Sequence, residues 1–320
     1  MPGGAVGELI RPEAGRRTTA APPVFLVGPA RSGTSVIYKV LALHPESAWI
    51  SNWLARVPKA SPLAALNRLT SHAPHARRRA WFGAQGDNAY VYGGRRRHRD
   101  RLFPMPHEGE PVYAAAGIPS DRQLSPAAAE RAAAALRAAV VSVRRASGAP
   151  VFVNKRIANN RRIPLLLQAF PDARFISLVR DGRAVALSLS RVDWWPDSHV
   201  WWYGDTPARW AAEGNDPWVL CARNWVEELH AIEDGLAQVP ASQTYALSYE
   251  SFLDAPVTSM QQLADFAGLA PSRGWDRSVR SLGFPDRNEA WRTHLDDDAV
   301  RTITDIQAGE LRGHGYGLER

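Results

Sequence analysis

The chain of 320 residues has one cysteine, Cys221, and three lysines among 39 basic residues. A single cysteine excludes an intramolecular disulfide and any metal site built from several cysteines, and it is consistent with a reducing cytoplasm. No apolar run reaches the ~18 residues that a membrane-spanning helix needs. Residues 1–22 also lack the apolar core of a secretory signal. We therefore expect a disordered leader there and a cytoplasmic protein.

Basic residues outnumber acidic residues, which gives a net charge of +7 and excludes a strongly acidic protein. A positive potential favours an anionic ligand, and the cluster Arg95–Arg101 raises the question of nucleic acid. This cluster fits a solvated loop, a contact with an acceptor or partner, or a contact with nucleic acid or acidic lipid. Because arginine is abundant along the whole chain together with alanine, we expect no nucleic-acid partner.

A glycine-containing loop stands near the N-terminus. Residues 28–35 read Gly-Pro-Ala-Arg-Ser-Gly-Thr-Ser, between the apolar run Val24–Val27 and a helix-like stretch, 36–43. A strand, a turn and a helix start in this order offer backbone N–H groups to a phosphate-type anion. A Walker A loop needs lysine after its second glycine, where this chain has Thr34. The only cation of the loop is Arg31, which argues against a nucleoside triphosphatase.

A second strand and helix meet at Arg180. The run Arg174–Val179 is short, apolar and β-branched, an Asp-Gly break follows, and residues 183–190 have helical apolar spacing. Arg180 therefore leaves the end of a strand, and Ser188 lies about two turns into the next helix. A guanidinium and a hydroxyl in this arrangement can bind one phosphate group together.

Together the two motifs resemble those of sulfotransferases that use 3′-phosphoadenosine 5′-phosphosulfate (PAPS). The first run is similar to their 5′-phosphosulfate loop, and the Arg-Asp-Gly-Arg segment with its downstream serine is similar to their 3′-phosphate site. The resemblance extends from about Pro23 to the last helix. It implies that PAPS is bound by Arg31, Ser32, Gly33, Thr34, Ser35, Arg180 and Ser188.

A third strand-like run, residues 151–156, ends in Asn-Lys-Arg. Its Asn-Lys pair is similar to that of tyrosylprotein sulfotransferases and their bacterial relatives, in which the lysine contacts the sulfonate and the bridging oxygen. The resemblance implies a catalytic role for Lys155, beside the alternative of a solvated strand end. Because the chain otherwise prefers arginine, a retained lysine favours a site that needs a compact point charge.

The acceptor hydroxyl must lose a proton, so a histidine or carboxylate should lie near it. Tyrosylprotein sulfotransferases have a glutamate pair shortly after the His-Pro that follows the loop helix, where this chain has Ser51-Asn52. This departure argues against a protein-tyrosine acceptor. We predict that Glu108 is the general base, because its Pro-x-Glu context resembles that of many bacterial sulfotransferases. The alternatives are His107, Asp87 and His44.

Short strands alternate with longer helices along the chain. This order predicts a P-loop-like α/β fold of three layers, with a mostly parallel sheet flanked by helices. Ligands bind such sheets beyond the carboxyl ends of the strands, where Arg31, Lys155 and Arg180 should meet. We expect one sulfotransferase domain over residues 23–320, with insertions at about 58–120 and about 193–218.

Local patterns predict several further elements. We expect a short strand over residues 49–53, a long helix from Pro126 to Arg145, and a helix over residues 159–170. Seven of the twelve tryptophans lie between residues 193 and 225. They fit either a packed cap over the sheet or an aromatic acceptor pocket for a sugar face, an aryl ring or a lipid. The segment 249–256 resembles a recurring sulfotransferase run, and we expect it to serve packing.

The sequence thus predicts a cytoplasmic, PAPS-dependent sulfotransferase that acts, without a metal, on a hydroxyl of a small molecule, glycan or glycolipid. Positioning and electrostatics carry most of such an in-line transfer. Loop amides and Arg31 would hold the phosphosulfate, and Lys155 would neutralise the leaving oxygen. One alternative is a P-loop kinase-like enzyme that binds ATP with Mg²⁺. Another is a basic nucleic-acid-binding protein that uses the cluster Arg95–Arg101.

Overall fold

The computed structural model of the protein describes residues 21–71, 73–83, 102–120 and 124–319. A five-stranded sheet in the order β2-β3-β1-β4-β5 forms its centre, and each neighbouring pair of strands is parallel. The predicted α/β fold with a parallel sheet flanked by helices is therefore confirmed. The strands are β1 (Val24–Val27), β2 (Ser47–Ala48), β3 (Val151–Lys155), β4 (Arg174–Val179) and β5 (Thr244–Ser248).

Helices connect the strands and extend beyond the last one. In chain order, the α-helices of the described residues are α1 (Thr34–Ala42), α2 (Asn52–Arg56), α3 (Ala65–Ser71), α4 (Pro74–Phe82), α5 (Glu110–Ala115), α6 (Pro126–Ser147), α7 (Ile163–Ala169), α8 (Gly182–Ser190), α9 (Pro207–Ala212), α10 (Pro217–Leu236), α11 (Tyr249–Asp254), α12 (Pro256–Ala267), α13 (Arg273–Arg280), α14 (Ala290–His294) and α15 (Asp297–Gly313). Within these ranges, no helix has both the length and the apolar character needed to cross a membrane.

Both faces of the sheet are buried, which explains why β1 is apolar at every position. Val24 and Leu26 belong to a core with α1, α12 and α13, whereas Phe25 and Val27 belong to a second core with α6 and α7. Successive strand residues point to opposite faces, so a strand between two helical layers must be apolar on both. This sandwich fixes β1, and with it the loop at its carboxyl end.

Two local predictions are wrong. The expected strand over residues 49–53 does not form, because the chain leaves the short β2 and the Ser51 hydroxyl caps α2 by accepting the Leu54 N–H at 3.2 Å. The expected helix over residues 159–170 is divided into a 3₁₀ turn, Ile157–Arg161, and α7. Tertiary hydrogen bonds of the Asn side chains in that turn oppose a continuous helix.

The expectations for residues 1–20, for Asp87 and for the cluster Arg95–Arg101 lie outside the described residues. The long helix α6 agrees with its prediction and ends at Gly148, which has a φ of 67° that suits a helix-terminating glycine.

Candidate functional site

The loop between β1 and α1 has an unusual backbone. Gly28 and Gly33 have φ values of 156° and 89°, and Arg31, with φ 72°, is the one non-glycine residue of the described chain with positive φ. A Cβ atom at Gly33 would lie 2.4 Å from the ring of Tyr249. Non-glycine residues rarely adopt positive φ, and those that do concentrate at functional sites. The surrounding structure therefore holds this loop in one particular shape.

The two predicted anion-binding segments touch each other. The Nε of Arg31 donates to the Ser188 hydroxyl at 3.0 Å, and Nη1 of Arg180 donates to the carbonyl oxygen of Arg31 at 3.1 Å. Arg180 is held in place because its Nε donates to Asn288 Oδ1 at 2.7 Å and its guanidinium lies 4.8 Å from the centre of the Tyr249 ring. The structure thus brings the loop, β4 and α8 to one place.

A first cavity of about 500 Å³ opens at this contact. Among the described residues, its lining includes four arginines and no carboxylate, so it attracts anions. Three aromatic rings in the same lining suit the flat face of a nucleobase. The arginines are Arg31, Arg180, Arg191 and Arg287, and the aromatic residues are Phe82, Tyr249 and Phe284.

Sequence reasoning missed several members of this lining. Tyr249 was expected to serve packing, yet it supports both Arg180 and the loop. Arg191 follows Ser188 by three residues, so helical spacing could have revealed it. Arg287 lies on a segment without regular structure, far from the motifs in sequence. No local signal identifies it.

A second cavity of about 530 Å³ adjoins the first and shares Arg31 and Gly33 with it. Its lining brings together Thr34 and Ser35 from the start of α1 with Lys155 from the end of β3. The first N–H groups of a helix have no intrahelical partner, so this helix start can bind an anion. The predicted convergence of Arg31, Lys155 and Arg180 therefore extends over two adjoining cavities.

Ser32 is the exception among the predicted loop residues. It is fully buried and lines neither cavity. Its N–H donates to the Pro29 carbonyl oxygen at 3.2 Å, which closes the loop turn. Its hydroxyl is buried without a hydrogen-bond partner among the described residues. Ser32 was predicted to bind the anion through its backbone amide, but in the structure this amide contributes to the shape of the loop.

Lys155 and Glu108 form an ion pair in the second cavity. Lys155 Nζ lies 2.5 Å from Glu108 Oε1, and the lysine side chain is 5 % exposed. The neighbouring Asn154 donates from Nδ2 to the Glu108 carbonyl oxygen at 3.1 Å. The Asn-Lys pair therefore positions both the backbone and the carboxylate of Glu108.

A second cation holds the other oxygen of Glu108. Arg156 Nη1 lies 2.9 Å from Glu108 Oε2, and Arg156 Nε lies 3.0 Å from Glu110 Oε2. Burial alone would raise the pKa of Glu108, but the attraction of Lys155 and Arg156 outweighs it and lowers the pKa below its ordinary value. Burial alone would lower the pKa of Arg156, but the two glutamates raise it. Glu108 is therefore ionised near neutral pH.

The histidines considered as alternative bases line neither cavity. His44 Nε2 bonds the Ala270 carbonyl oxygen at 2.9 Å, and burial lowers the pKa of its imidazole. His107 Nδ1 accepts the N–H of Gly109 at 3.0 Å, and burial lowers its pKa as well. Both histidines serve local structure.

The structure adds a carboxylate that sequence reasoning missed. Glu228, on α10, is 3 % exposed and lines the second cavity. Burial raises the pKa of Glu228. Its two oxygens accept hydrogen bonds from Asn160, Arg161 and Trp201.

The tryptophan-rich segment contributes to a cavity wall and to an apolar cluster. Trp194, Trp195 and Trp201 line the second cavity. Trp225 is fully buried, and others pack together with α8 and α10 in a separate apolar cluster. Trp195 belongs to both groups, because it lines the second cavity and is also a buried member of that apolar cluster.

A possible metal site lies elsewhere. Among the described residues, Glu233, Glu310 and His314 place ligand atoms within 4.8 Å of one another. None of them lines either cavity. A metal bound there would have no contact with the cations and carboxylates described above.

Comparison with known proteins agrees with this fold. The chain is similar to sulfotransferase STF9 from Mycobacterium avium, with 14 % identity over 94 % of this chain and 79 % of that one and a TM-score of 0.55. It is similar to sulfotransferase STF1 from Mycobacterium tuberculosis, with 15 % identity over 91 % of this chain and 77 % of that one and a TM-score of 0.53. It is also similar to a sulfotransferase domain from the curacin biosynthetic pathway, with 13 % identity over 94 % of this chain and 100 % of that one and a TM-score of 0.51. At these identities the likeness shows the fold. No curated protein sequence matches the chain. The model of the Sulfotransferase family matches residues 22–273, so the chain belongs to the sulfotransferase family, as its motifs predict.

Proposed function

We propose that this enzyme transfers the sulfonate of PAPS to a hydroxyl group of a small-molecule, glycan or glycolipid acceptor in the cytoplasm. The contact of Arg31 with Ser188, at the boundary of the two cavities, is the observation that carries the proposal. One elongated, anionic donor can occupy the arginine-rich first cavity and present its reactive end to the second. The acceptor then enters the second cavity from the side of the tryptophans.

The residues of the first cavity fit the nucleotide end of PAPS. Arg180 and Ser188 suit the 3′-phosphate, because a fixed guanidinium and a hydroxyl at its side can donate several hydrogen bonds to one phosphate. Tyr249 and Phe284 supply apolar surface for the adenine. Arg31, Thr34 and Ser35 lie where the cavities adjoin and suit the 5′-phosphosulfate.

PAPS supplies the sulfonate, and the chain supplies the charges around the transfer. Lys155 stabilises negative charge that develops on the leaving phosphate oxygen. Glu108 accepts the proton of the acceptor hydroxyl as the new S–O bond forms. The lowered pKa of Glu108 keeps it ready as a carboxylate, and its basicity increases when Lys155 turns to the leaving oxygen, because one of its two cations is withdrawn.

The second cavity favours acceptors with a flat or apolar face. Trp194, Trp195 and Trp201 provide aromatic surface, and Glu108 lies in the same cavity. Aromatic side chains bind sugar faces, aryl rings and lipid chains through extensive apolar contact. We infer that the reactive hydroxyl is attached to such a group.

Two experiments test the proposal. A thermal-shift comparison should show stabilisation by 3′-phosphoadenosine 5′-phosphate (PAP) and none by ATP with Mg²⁺, since binding to the native state raises stability. Stabilisation by ATP with Mg²⁺ alone would favour the kinase-like alternative. A screen of phenols, sugars and glycolipids with ³⁵S-labelled PAPS should then identify acceptors, and transfer to none of these classes would contradict the hydroxyl assignment.

A further inference from the structure

The buried carboxylate of Glu228 joins elements from distant parts of the chain. Its Oε2 accepts the Asn160 amide at 2.5 Å, and its Oε1 accepts Arg161 Nη1 at 3.1 Å and Trp201 Nε1 at 2.9 Å. Three donors thus meet one carboxylate at the end of the second cavity. A buried carboxylate is costly unless it is hydrogen-bonded, so this arrangement holds all four side chains together.

Asn160 extends this network to the loop at the end of β1. Its Oδ1 accepts the Gly28 N–H at 3.0 Å, and its Nδ2 donates to the Gly28 carbonyl oxygen at 3.1 Å. The other hydrogen of Asn160 Nδ2 is donated to Glu228 Oε2 in a hydrogen bond. Glu228 therefore fixes the amide orientation that clamps both backbone groups of Gly28.

Gly28 also lies close to β4. A Cβ atom there would lie 2.4 Å from the carbonyl oxygen of Leu178, at the end of β4. The first residue of the loop is thus held between β4 on one side and Asn160 on the other. The position of Arg31, three residues later, depends on this clamp.

The other donors form the wall of the second cavity. The Arg161 guanidinium lies 4.9 Å from the centre of the Trp201 ring, and its Nη2 donates to the Ser120 carbonyl oxygen at 3.1 Å. Arg161 and Trp201 both line the cavity and both bond the same oxygen of Glu228. The wall against which an acceptor would lie therefore shares its anchor with the donor loop.

We propose that Glu228 is a positioning residue that couples the donor loop to the acceptor wall, through Asn160 on one side and through Arg161 and Trp201 on the other. The functional meaning of this coupling rests on the proposed function. A shift of either element changes the hydrogen bonds that Glu228 has available for the other, so a correctly placed loop and a correctly placed wall favour each other.

The variant E228Q tests the coupling with almost unchanged shape. A glutamine has one oxygen and one NH₂ group in place of two accepting oxygens. Whichever way it turns, its NH₂ faces a donor, either Asn160 or the pair of Arg161 and Trp201. The matched control is E227Q, which changes the neighbouring, partly exposed glutamate of the same helix.

Hydrogen exchange of the ligand-free protein, followed by mass spectrometry, provides the first measurement. In E228Q we expect exchange about tenfold faster in residues 24–33 and in residues 198–204, the size of one lost hydrogen bond to a charged group. In E227Q both segments should exchange at the wild-type rate. Wild-type exchange of residues 24–33 in E228Q would overturn the proposal, as would equal acceleration in E227Q.

Calorimetry with PAP provides the second measurement. We expect E228Q to bind PAP about fivefold to tenfold more weakly than E227Q, because the loop is less well positioned. Equal affinities would overturn the link to the donor. The exchange comparison needs no ligand, so it decides the positioning role even if the wild-type protein fails to bind PAP. Failure of the wild type to bind PAP would count against the proposed function.

A second variant serves if E228Q does not fold. E228D retains the charge but withdraws the carboxylate by one methylene, and it should show the same faster hydrogen exchange in residues 24–33 and 198–204.

Discussion

Arg31 donates from Nε to the hydroxyl of Ser188 at 3.0 Å, although the two residues are 157 positions apart in sequence. Arg180 completes the contact, because its Nη1 donates to the carbonyl oxygen of Arg31. The loop after β1 and the strand-to-helix turn after β4 are therefore one structural unit. A change in either segment should alter binding at both ends of the donor.

The hydroxyl of Ser188 can be removed with little change of shape. We expect S188A to bind PAP about tenfold more weakly, since a hydrogen bond to a charged group contributes roughly 1.5 kcal/mol. Titration calorimetry measures the change. S190A is the matched control, because its hydroxyl bonds the Leu187 carbonyl oxygen of the same helix and its loss should leave PAP affinity unchanged. Equal affinities of S188A and S190A would contradict the assignment of Ser188.

Lys155 should matter for turnover more than for nucleotide affinity. We expect K155M to lower turnover by about 10²–10³, as for other groups that stabilise developing charge, while PAP still binds. Transfer from labelled PAPS to an acceptor found in the screen measures the rate. The control is K59M, because Lys59 is exposed and lines neither cavity. Wild-type turnover of K155M would show that Lys155 is a structural partner of Glu108.

The ion pairs of Glu108 should make stability depend on pH. Because the pKa of Glu108 is lowered in the folded protein, its pairs stabilise the fold above the ordinary carboxyl value of 4.5, and this contribution is lost as pH falls through the lowered pKa. The free energy of unfolding of wild type should therefore exceed that of E108Q most at neutral pH. Urea unfolding between about pH 7 and pH 4 measures the difference, which should shrink on acidification.

The variant E289Q, unfolded with urea over the same pH range, is the control for E108Q. Glu289 is exposed and pairs with Arg292 on the protein surface, and such pairs contribute little. Its difference from wild type should be small at every pH. A wild-type advantage over E108Q that is independent of pH would contradict the ionised pair.

Gly33 tests whether the shape of the loop is needed for binding. An alanine there is strained by the φ of 89° and by a Cβ placed 2.4 Å from the Tyr249 ring. G214A is the matched control, since its φ of 81° is similar and its Cβ would meet open space. Both variants should lose about 1 kcal/mol of stability or more, but only G33A should lose PAP affinity in calorimetry. Retained affinity in G33A would show that the loop tolerates displacement.

The ends of the strands were predictable because the signals are local. Apolar runs place Lys155 at the end of β3, and they place Arg31 and Arg180 in the glycine-containing turns after β1 and β4. Parallel strands then bring all three residues to one edge of the sheet. The same local reasoning failed over residues 49–53. There β-forming Trp and Ile residues suggested a strand, and the cap formed by Ser51 started a helix instead.

The remaining site residues depend on contacts that sequence patterns do not reveal. Glu227 and Glu228 are adjacent on α10, but Glu228 is buried and accepts hydrogen bonds from three donors, whereas Glu227 is partly exposed. Arg287 reaches the first cavity from a segment without regular structure. Its role depends on the course of the chain after α13, which no local periodicity determines.

Binding of PAP to the wild type, R31A and R180A, measured by titration calorimetry with R209A as control, tests the account most directly. Arg209 is exposed and pairs with Glu213 of the adjacent turn. We predict binding by wild type and R209A, and affinities at least about tenfold weaker for R31A and R180A, since each removes a charged hydrogen-bond donor. Unchanged affinity in both R31A and R180A would contradict a donor held between the two segments.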